Sequence, residues 1–179
     1  MNDFRIALLG LGTVGTAVAE LLATTRDECL ARAERPVVVD RIIVRNLDRP
    51  RSIPEDLPGK KVLSSDPMDA VHDPEIDAIV ELVGGEDHPR IWIKEALESG
   101  KNVITANKAV LAIHGEELFN IALEQKKGLY YEASVAAAVP VLQVIQQGIP
   151  AGPVDRLMGI LNGTGNYQLD SLDENSREH

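Results

Sequence analysis

Short apolar runs recur along the chain, and most are followed by a longer stretch with apolar residues at helical spacing. The run Phe4-Arg5-Ile6-Ala7-Leu8-Leu9 is closed by Gly10, as in a strand buried on both faces. After it, Val14, Val18, Leu21 and Leu22 share one face of a helix expected over 13–32. Residues 37–45 predict a second strand, and a loop rich in proline and charge runs from Asn46 to Lys60. A short strand over 61–63 and a short helix over 67–72 come next. Residues 76–83 predict a strand that stops at Gly84-Gly85. A helix over 88–99 ends at Gly100, a suitable C-terminal cap, and 102–105 form the next strand. A helical stretch over 107–126 ends near Gly128, and 129–135 read as a further strand. This alternation implies an α/β fold, a Rossmann-type doubly wound parallel sheet covered on both faces.

The pattern changes after residue 135. Pro140 opens a helical stretch over 141–147, a Pro/Gly loop follows over 149–153, and a strand over 155–161 leads into Asn162-Gly163-Thr164-Gly165-Asn166-Tyr167. The tail Asp170–His179 is polar and acidic and is expected to fray. The organisation expected is a domain over 1–135 and the beginning of a second, α+β domain over 136–179. The chain is expected to stop where that second domain should grow.

Composition narrows the chemistry. Hydrophobic residues make up 44% but aromatics only 3%, so the core is aliphatic. A net charge of -10 argues against nucleic acid or an anionic membrane surface as partner. An anionic cofactor remains compatible, because backbone N–H groups and one or two local cations suffice to hold it. Cys29 is the single cysteine, so no internal disulfide forms, which fits a reducing cytoplasm. It reads as a plain helix residue. No signal peptide or membrane-length apolar run is expected, and Met1 directly before the first strand argues against an N-terminal fusion. His72, His88, His114 and His179 lack metal-ligand spacing and read as surface or helix residues, and Asp66, Asp69 and Asp73 do not make a calcium loop.

Two motifs carry chemistry. Gly10-Leu11-Gly12-Thr13-Val14-Gly15 sits between a strand and a helix, with a second strand about twenty residues on, as a dinucleotide fingerprint requires. Gly10 permits the tight turn, Gly12 lets a pyrophosphate approach the backbone, and Gly15 lets helix and strand pack. The second strand ends Val44-Arg45-Asn46, without the acid that binds the ribose hydroxyls of NAD, though Asp48 follows shortly. Arg45 suits a 2′-phosphate, which favours NADP or dual use; Arg49 and Arg51 read as solvated loop charges. In Thr105-Ala106-Asn107-Lys108, the sheet logic puts Lys108 at the carboxyl edge, where it could exchange a proton with a substrate oxygen during hydride transfer. A surface lysine at a helix start, with Asn107 as cap, is the other reading. In Tyr131-Glu132-Ala133-Ser134-Val135, Glu132 is a carboxylate that needs a partner: a cation, a backbone N–H or a lysine. Backbone carbonyls with one carboxylate suit a hard monovalent or divalent cation, and a capping glutamate is the other reading.

Together these segments resemble homoserine dehydrogenase. The resemblance rests on Gly10–Gly15, Val44-Arg45-Asn46, Glu81-Leu82-Val83-Gly84-Gly85, Thr105-Ala106-Asn107-Lys108-Ala109, Glu132-Ala133-Ser134-Val135 and Gly159-Ile160-Leu161-Asn162-Gly163-Thr164. It runs from about residue 4 to 169. It implies NAD(P)-dependent interconversion of L-homoserine and L-aspartate 4-semialdehyde, on the route to threonine, methionine and isoleucine. It implies a cofactor set of Gly10, Gly12, Thr13, Val14, Gly15, Arg45, Gly84, Gly85, Thr105 and Lys108, with Lys108 catalytic. It also implies a monovalent cation, Na or K, on Glu132, Val135, Ala137 and Val139, and places Asn162, Gly163 and Thr164 near the substrate. Ala137 and Ala138 stand where the family often has glycines, and Gly165 where it has Thr or Cys. The family continues well beyond this length, with acidic residues that grip the substrate amine and a second lysine proposed as the proton donor, so a truncated chain that binds NAD(P) but turns over homoserine poorly or not at all is expected. The whole protein is expected to be a cytoplasmic homodimer. A non-catalytic NAD(P)-binding module and a related small-substrate dehydrogenase are the alternatives.

Overall fold

The computed structural model describes residues 2–136, 139–145 and 156. Runs of Val, Ile, Leu and Ala form six strands: β1 (Phe4–Leu9), β2 (Val37–Ile43), β3 (Val62–Ser64), β4 (Ala78–Glu81), β5 (Asn102–Thr105) and β6 (Leu129–Tyr130). They pair in the order β3-β2-β1-β4-β5-β6, all parallel. The helices between them are α1 (Thr13–Thr24), α2 (Arg26–Ala33), α3 (Met68–Val71), α4 (Asp87–Glu98) and α5 (Lys108–Gln125).

Burial on both faces explains why the centres of the strands are apolar. Successive side chains of β1 serve opposite layers. Ile6 and Leu8 join Ala19, Val39, Ile42, Ala78 and Val80 on the face that α1 covers. Ala7 and Leu9 join Ile79, Ile93, Leu97, Val103, Val110 and Leu118 on the face that α4 and α5 cover. Both layers are almost wholly aliphatic, as the composition demands.

The helix expected over 13–32 is two helices. Thr24 and Thr25 turn their hydroxyls back onto the carbonyls of Glu20 and Leu21, at 2.9 and 2.7 Å, and Thr25 leaves helical geometry at φ -108° and ψ 26°. Adjacent β-branched hydroxyl residues thus compete with the helical ladder. The strand expected over 129–135 lasts only two residues. Its partner β5 has just Thr105 left beyond the Ile104–Tyr130 pair, so the ladder runs out. The chain divides into two compact units, Met1–Tyr131 and Glu132–His179. In the second, a 3₁₀ turn (Glu132–Ser134) and a short helix α6 (Val141–Gln143) are described. The strand expected over 155–161 lies outside the described residues, apart from the exposed Arg156.

A polar cluster ties the chain segment before β4 to the sheet. Asp73 accepts from Arg41 Nε and Nη2 at 3.1 and 2.9 Å and from the Glu75 backbone N–H at 2.9 Å. The Lys101 ammonium, buried beneath it, donates to the carbonyls of Asp73 and Ile76 at 2.5 and 2.8 Å. Burial alone would raise the Asp73 carboxyl. The Glu75 N–H and the Arg41 guanidinium outweigh it, so the group titrates below its ordinary value of 3.8. A carboxylate depressed in the fold stabilises above its unfolded pKa, and that contribution fades as pH falls through the lower folded value. Asp73→Asn is therefore expected to lower Tm at neutral pH and to converge with the parent chain as the pH falls below the ordinary carboxylate range. Thermal melts of both chains between neutral and acid pH check this; a constant gap in Tm would refute it.

Candidate cofactor site

β1 and β4 are neighbours, yet the chain leaves them in opposite directions, to β2 and β3 on one side and to β5 and β6 on the other. The loops after β1 and β4 therefore diverge, and a crevice opens at the carboxyl ends of the strands. A cleft of about 970 Å³ occupies this place. Gly10, Gly12 and Thr13 line it after β1, Arg45 and Asn46 after β2, Leu82 and Val83 after β4, and His88 and Trp92 on α4.

The glycine turn is built as the sequence predicts. Gly10 has φ +100°, a left-handed conformation that glycine adopts at no steric cost. A Cβ on Gly15 would stand 2.2 Å from the Gly10 carbonyl oxygen, so only glycine lets α1 start this close to β1. A Cβ on Gly12 would meet nothing within 4 Å. That open space faces the first turn of α1, whose N–H groups have no intrahelical acceptor and carry the positive end of the helix dipole. The space and donors fit a pyrophosphate. Val14, in the same turn, is 53% exposed.

At the β2 end, Arg45 lies on the cleft wall, and Arg49 and Arg51, read from sequence as solvated loop charges, line it too. Arg51 donates to the carbonyls of Arg49, at 2.7 Å, and Asn46, and so braces the loop. Arg45 and Arg49 have no carboxylate partner among the described residues. His88 and Trp92, four apart on α4, stack with ring centroids 6.0 Å apart and form the opposite wall. Their spacing on the helix after the switch-point strand was the available signal, and scattered histidines hid it.

A buried polar network joins the loops after β4 and β5. Glu81, the last residue of β4, is fully buried. Its Oε1 accepts from the N–H groups of Val83 and Gly84 at 2.8 and 3.4 Å, and its Oε2 from the Thr105 hydroxyl at 2.7 Å. Thr105 Oγ1 in turn accepts from the Asn107 N–H at 3.0 Å. The Asn107 side chain caps α5 by accepting from the Val110 N–H at 3.2 Å, and donates to the Gly85 carbonyl at 2.8 Å. Gly84 and Gly85 hold φ of +77° and +82°. Lys108 is the exposed first residue of α5, and neither it, Thr105 nor the two glycines line the cleft. The signal for Glu81 was a lone acid ending an otherwise apolar strand.

In the second unit, Glu132 starts the 3₁₀ turn, and its two carboxylate oxygens accept from the N–H groups of Leu142 and Gln143 at 3.0 and 3.1 Å. It thus caps the start of α6. The Val139 carbonyl accepts from the Val141 N–H at 2.7 Å, and Val135 donates to the Glu132 carbonyl at 3.3 Å. Ala137, Asn162, Gly163 and Thr164 lie outside the described residues. No helix among the described residues is long and apolar enough to cross a membrane.

The family profile described as homoserine dehydrogenase, NAD binding domain, matches residues 10–132. The chain belongs to the homoserine dehydrogenase family. It is 36% identical over 172 residues to a homoserine dehydrogenase of Bacillus subtilis, covering 96% of this chain and 39% of that protein. It is 38% identical over 177 residues to one of Pseudomonas aeruginosa, covering 99% of this chain and 40% of that protein. Among solved structures, a homoserine dehydrogenase from Thiobacillus denitrificans superposes with a TM-score of 0.84 at 38% identity, over 93% of this chain and 38% of that one. One from Staphylococcus aureus superposes with a TM-score of 0.66 at 34% identity, over 73% of this chain and 33% of that one. The chain thus spans about 40% of the length of the curated relatives it matches.

Proposed function

We propose that the chain is the NAD(P)-binding part of a homoserine dehydrogenase, which interconverts L-homoserine and L-aspartate 4-semialdehyde in a protein of its relatives' length. The observation that carries this is the glycine turn at the switch point of a sheet ordered β3-β2-β1-β4-β5-β6, in a chain of that family. The cofactor, when bound, supplies the hydride acceptor. Gly12 and the first turn of α1 would hold the pyrophosphate, and Arg45 with Arg49 would face the ribose end, where a 2′-phosphate would meet two guanidinium groups that have no carboxylate partner among the described residues. Oxidising the alcohol removes a hydride from carbon and a proton from oxygen. Lys108 hydrogen-bonds that oxygen and exchanges the proton with it.

The carbonyls of Val135 and Val139, with the spare lone pairs of Glu132, are the ligands for a sodium or potassium ion in this reading. The single cysteine supports a cytoplasmic setting, and the whole protein is read as a homodimer.

The test is a titration of the purified chain with NADPH and with NADH, following cofactor fluorescence. Saturable binding is expected, tighter for NADPH. Arg45→Ala is expected to weaken NADPH about tenfold while leaving NADH almost unchanged, the loss of one charge-assisted contact. Failure of the parent chain to bind either nucleotide would overturn the reading.

A further inference from the structure

We propose that Glu81 is a positioning residue for the nicotinamide half of the cofactor. The inference rests on the chain's being an NAD(P)-binding domain, and it goes beyond the glycine turn to the opposite end of the site.

A carboxylate buried at the end of a central strand is costly unless donors satisfy it. The donors here come from the two loops at the carboxyl edge, through the Val83 and Gly84 N–H groups and the Thr105 hydroxyl. Thr105 and Asn107 extend the chain of hydrogen bonds to the cap of α5 and back to the Gly85 carbonyl. The circuit therefore fixes two things at once. One is the loop after β4, whose two glycines stand at left-handed φ. The other is the start of α5, where Lys108 is the first residue.

Register sets where this circuit lies. Leu9 of β1 pairs with Glu81 of β4, and Glu81 pairs with Thr105 of β5. Gly10 begins the cofactor turn one residue beyond that row. With the pyrophosphate on α1 and the adenosine ribose toward Arg45, the remaining half of a dinucleotide extends over the ends of β4 and β5. Glu81, fully buried, does not touch it. It acts by holding the loop the nicotinamide half rests on. Leucine would fill the same volume but would leave two loop N–H groups and the Thr105 hydroxyl without acceptors.

The experiment measures two ligands by calorimetry on the full chain: NADPH, and adenosine 2′,5′-bisphosphate, which lacks the nicotinamide half. Glu81→Gln keeps an oxygen for the loop N–H groups, but its NH2 group donates only, so the Thr105 hydroxyl proton loses its acceptor. This variant is expected to bind NADPH about tenfold more weakly, with affinity for the bisphosphate within about twofold of the parent. Thr105→Val should reproduce that split, and Thr105→Ser, which keeps the hydroxyl, should restore NADPH binding. Equal weakening of both ligands would mean a merely structural role, and unchanged NADPH affinity would mean none; either overturns the proposal. If Glu81→Gln fails to fold, the Thr105 pair decides by the same criteria. A parent chain that binds neither ligand overturns the underlying reading instead.

Discussion

Alanine in place of Gly15 is expected to lower Tm by roughly 4–10 °C, the equivalent of about 2–3 kcal/mol of overpacking in a domain of this size. NADPH binding should vanish with it. The added Cβ would lie 2.2 Å from the Gly10 carbonyl oxygen, and that oxygen is backbone, so no side chain can swing aside. The relief available is a shift of α1 away from β1. Such a shift loosens the layer around Ala19 and Val39 and displaces the N–H groups that hold the pyrophosphate. Gly12→Ala is the control. Its Cβ meets nothing in the protein within 4 Å, so Tm should hold within about 2 °C. The methyl does occupy the space a phosphate needs, and affinity should drop about tenfold or more. Calorimetric melts and NADPH titrations of both variants test the pair. Equal melting temperatures would refute the packing role of Gly15, and unaltered affinity in Gly12→Ala would refute the cradle.

The second large effect concerns turnover. In a protein of the relatives' full length, Lys108→Met is expected to reduce kcat about 10²–10⁴-fold, the usual worth of a positioned proton donor. NADPH affinity should stay within about threefold, because Lys108 does not line the cleft that takes the rest of the cofactor. Lys108→Arg should not rescue the rate, since a guanidinium does not give up its proton at working pH. Steady-state rates beside direct binding separate the alternatives. A fall of less than about tenfold in kcat would return Lys108 to the role of a surface residue at a helix start.

The layered α/β architecture was legible because two periodicities alternate along the chain: fully apolar runs such as Ile6–Leu9, then helical spacing such as Val18 and Leu22. The face itself was misplaced: Val14 and Leu21, read onto the inner side, are 53% and 59% exposed, because the small residues Gly15 and Ala19 take the buried side where α1 lies close to β1. The glycine turn was legible because each glycine answers a separate steric demand. The break at Thr25 was not, because each threonine alone is tolerable in a helix and only the pair, turned back on the adjacent carbonyls of Glu20 and Leu21, ends it. The position of Arg49 and Arg51 on the cleft wall was hidden by a loop whose path depends on tertiary contacts. Glu81 was visible as part of a motif, but its partner Thr105 is 24 residues away and meets it only through strand register. Glu132 admitted several partners from sequence; the backbone N–H groups of Leu142 and Gln143 are the ones the structure displays, and two bonds leave lone pairs over for a cation.

The sheet of the first unit ends in strands of three residues, β3, and two residues, β6. Both carry exposed apolar side chains, Val62 and Leu63 on one and Tyr130 on the other. Apolar edges of that kind invite another chain to add itself as a further strand. Here an incoming segment would find only a few unpaired backbone groups before the edge ended, too little to repay the order it gives up. Brevity therefore guards this domain against fibril-like association, and lengthening either edge would be a direct way to provoke it.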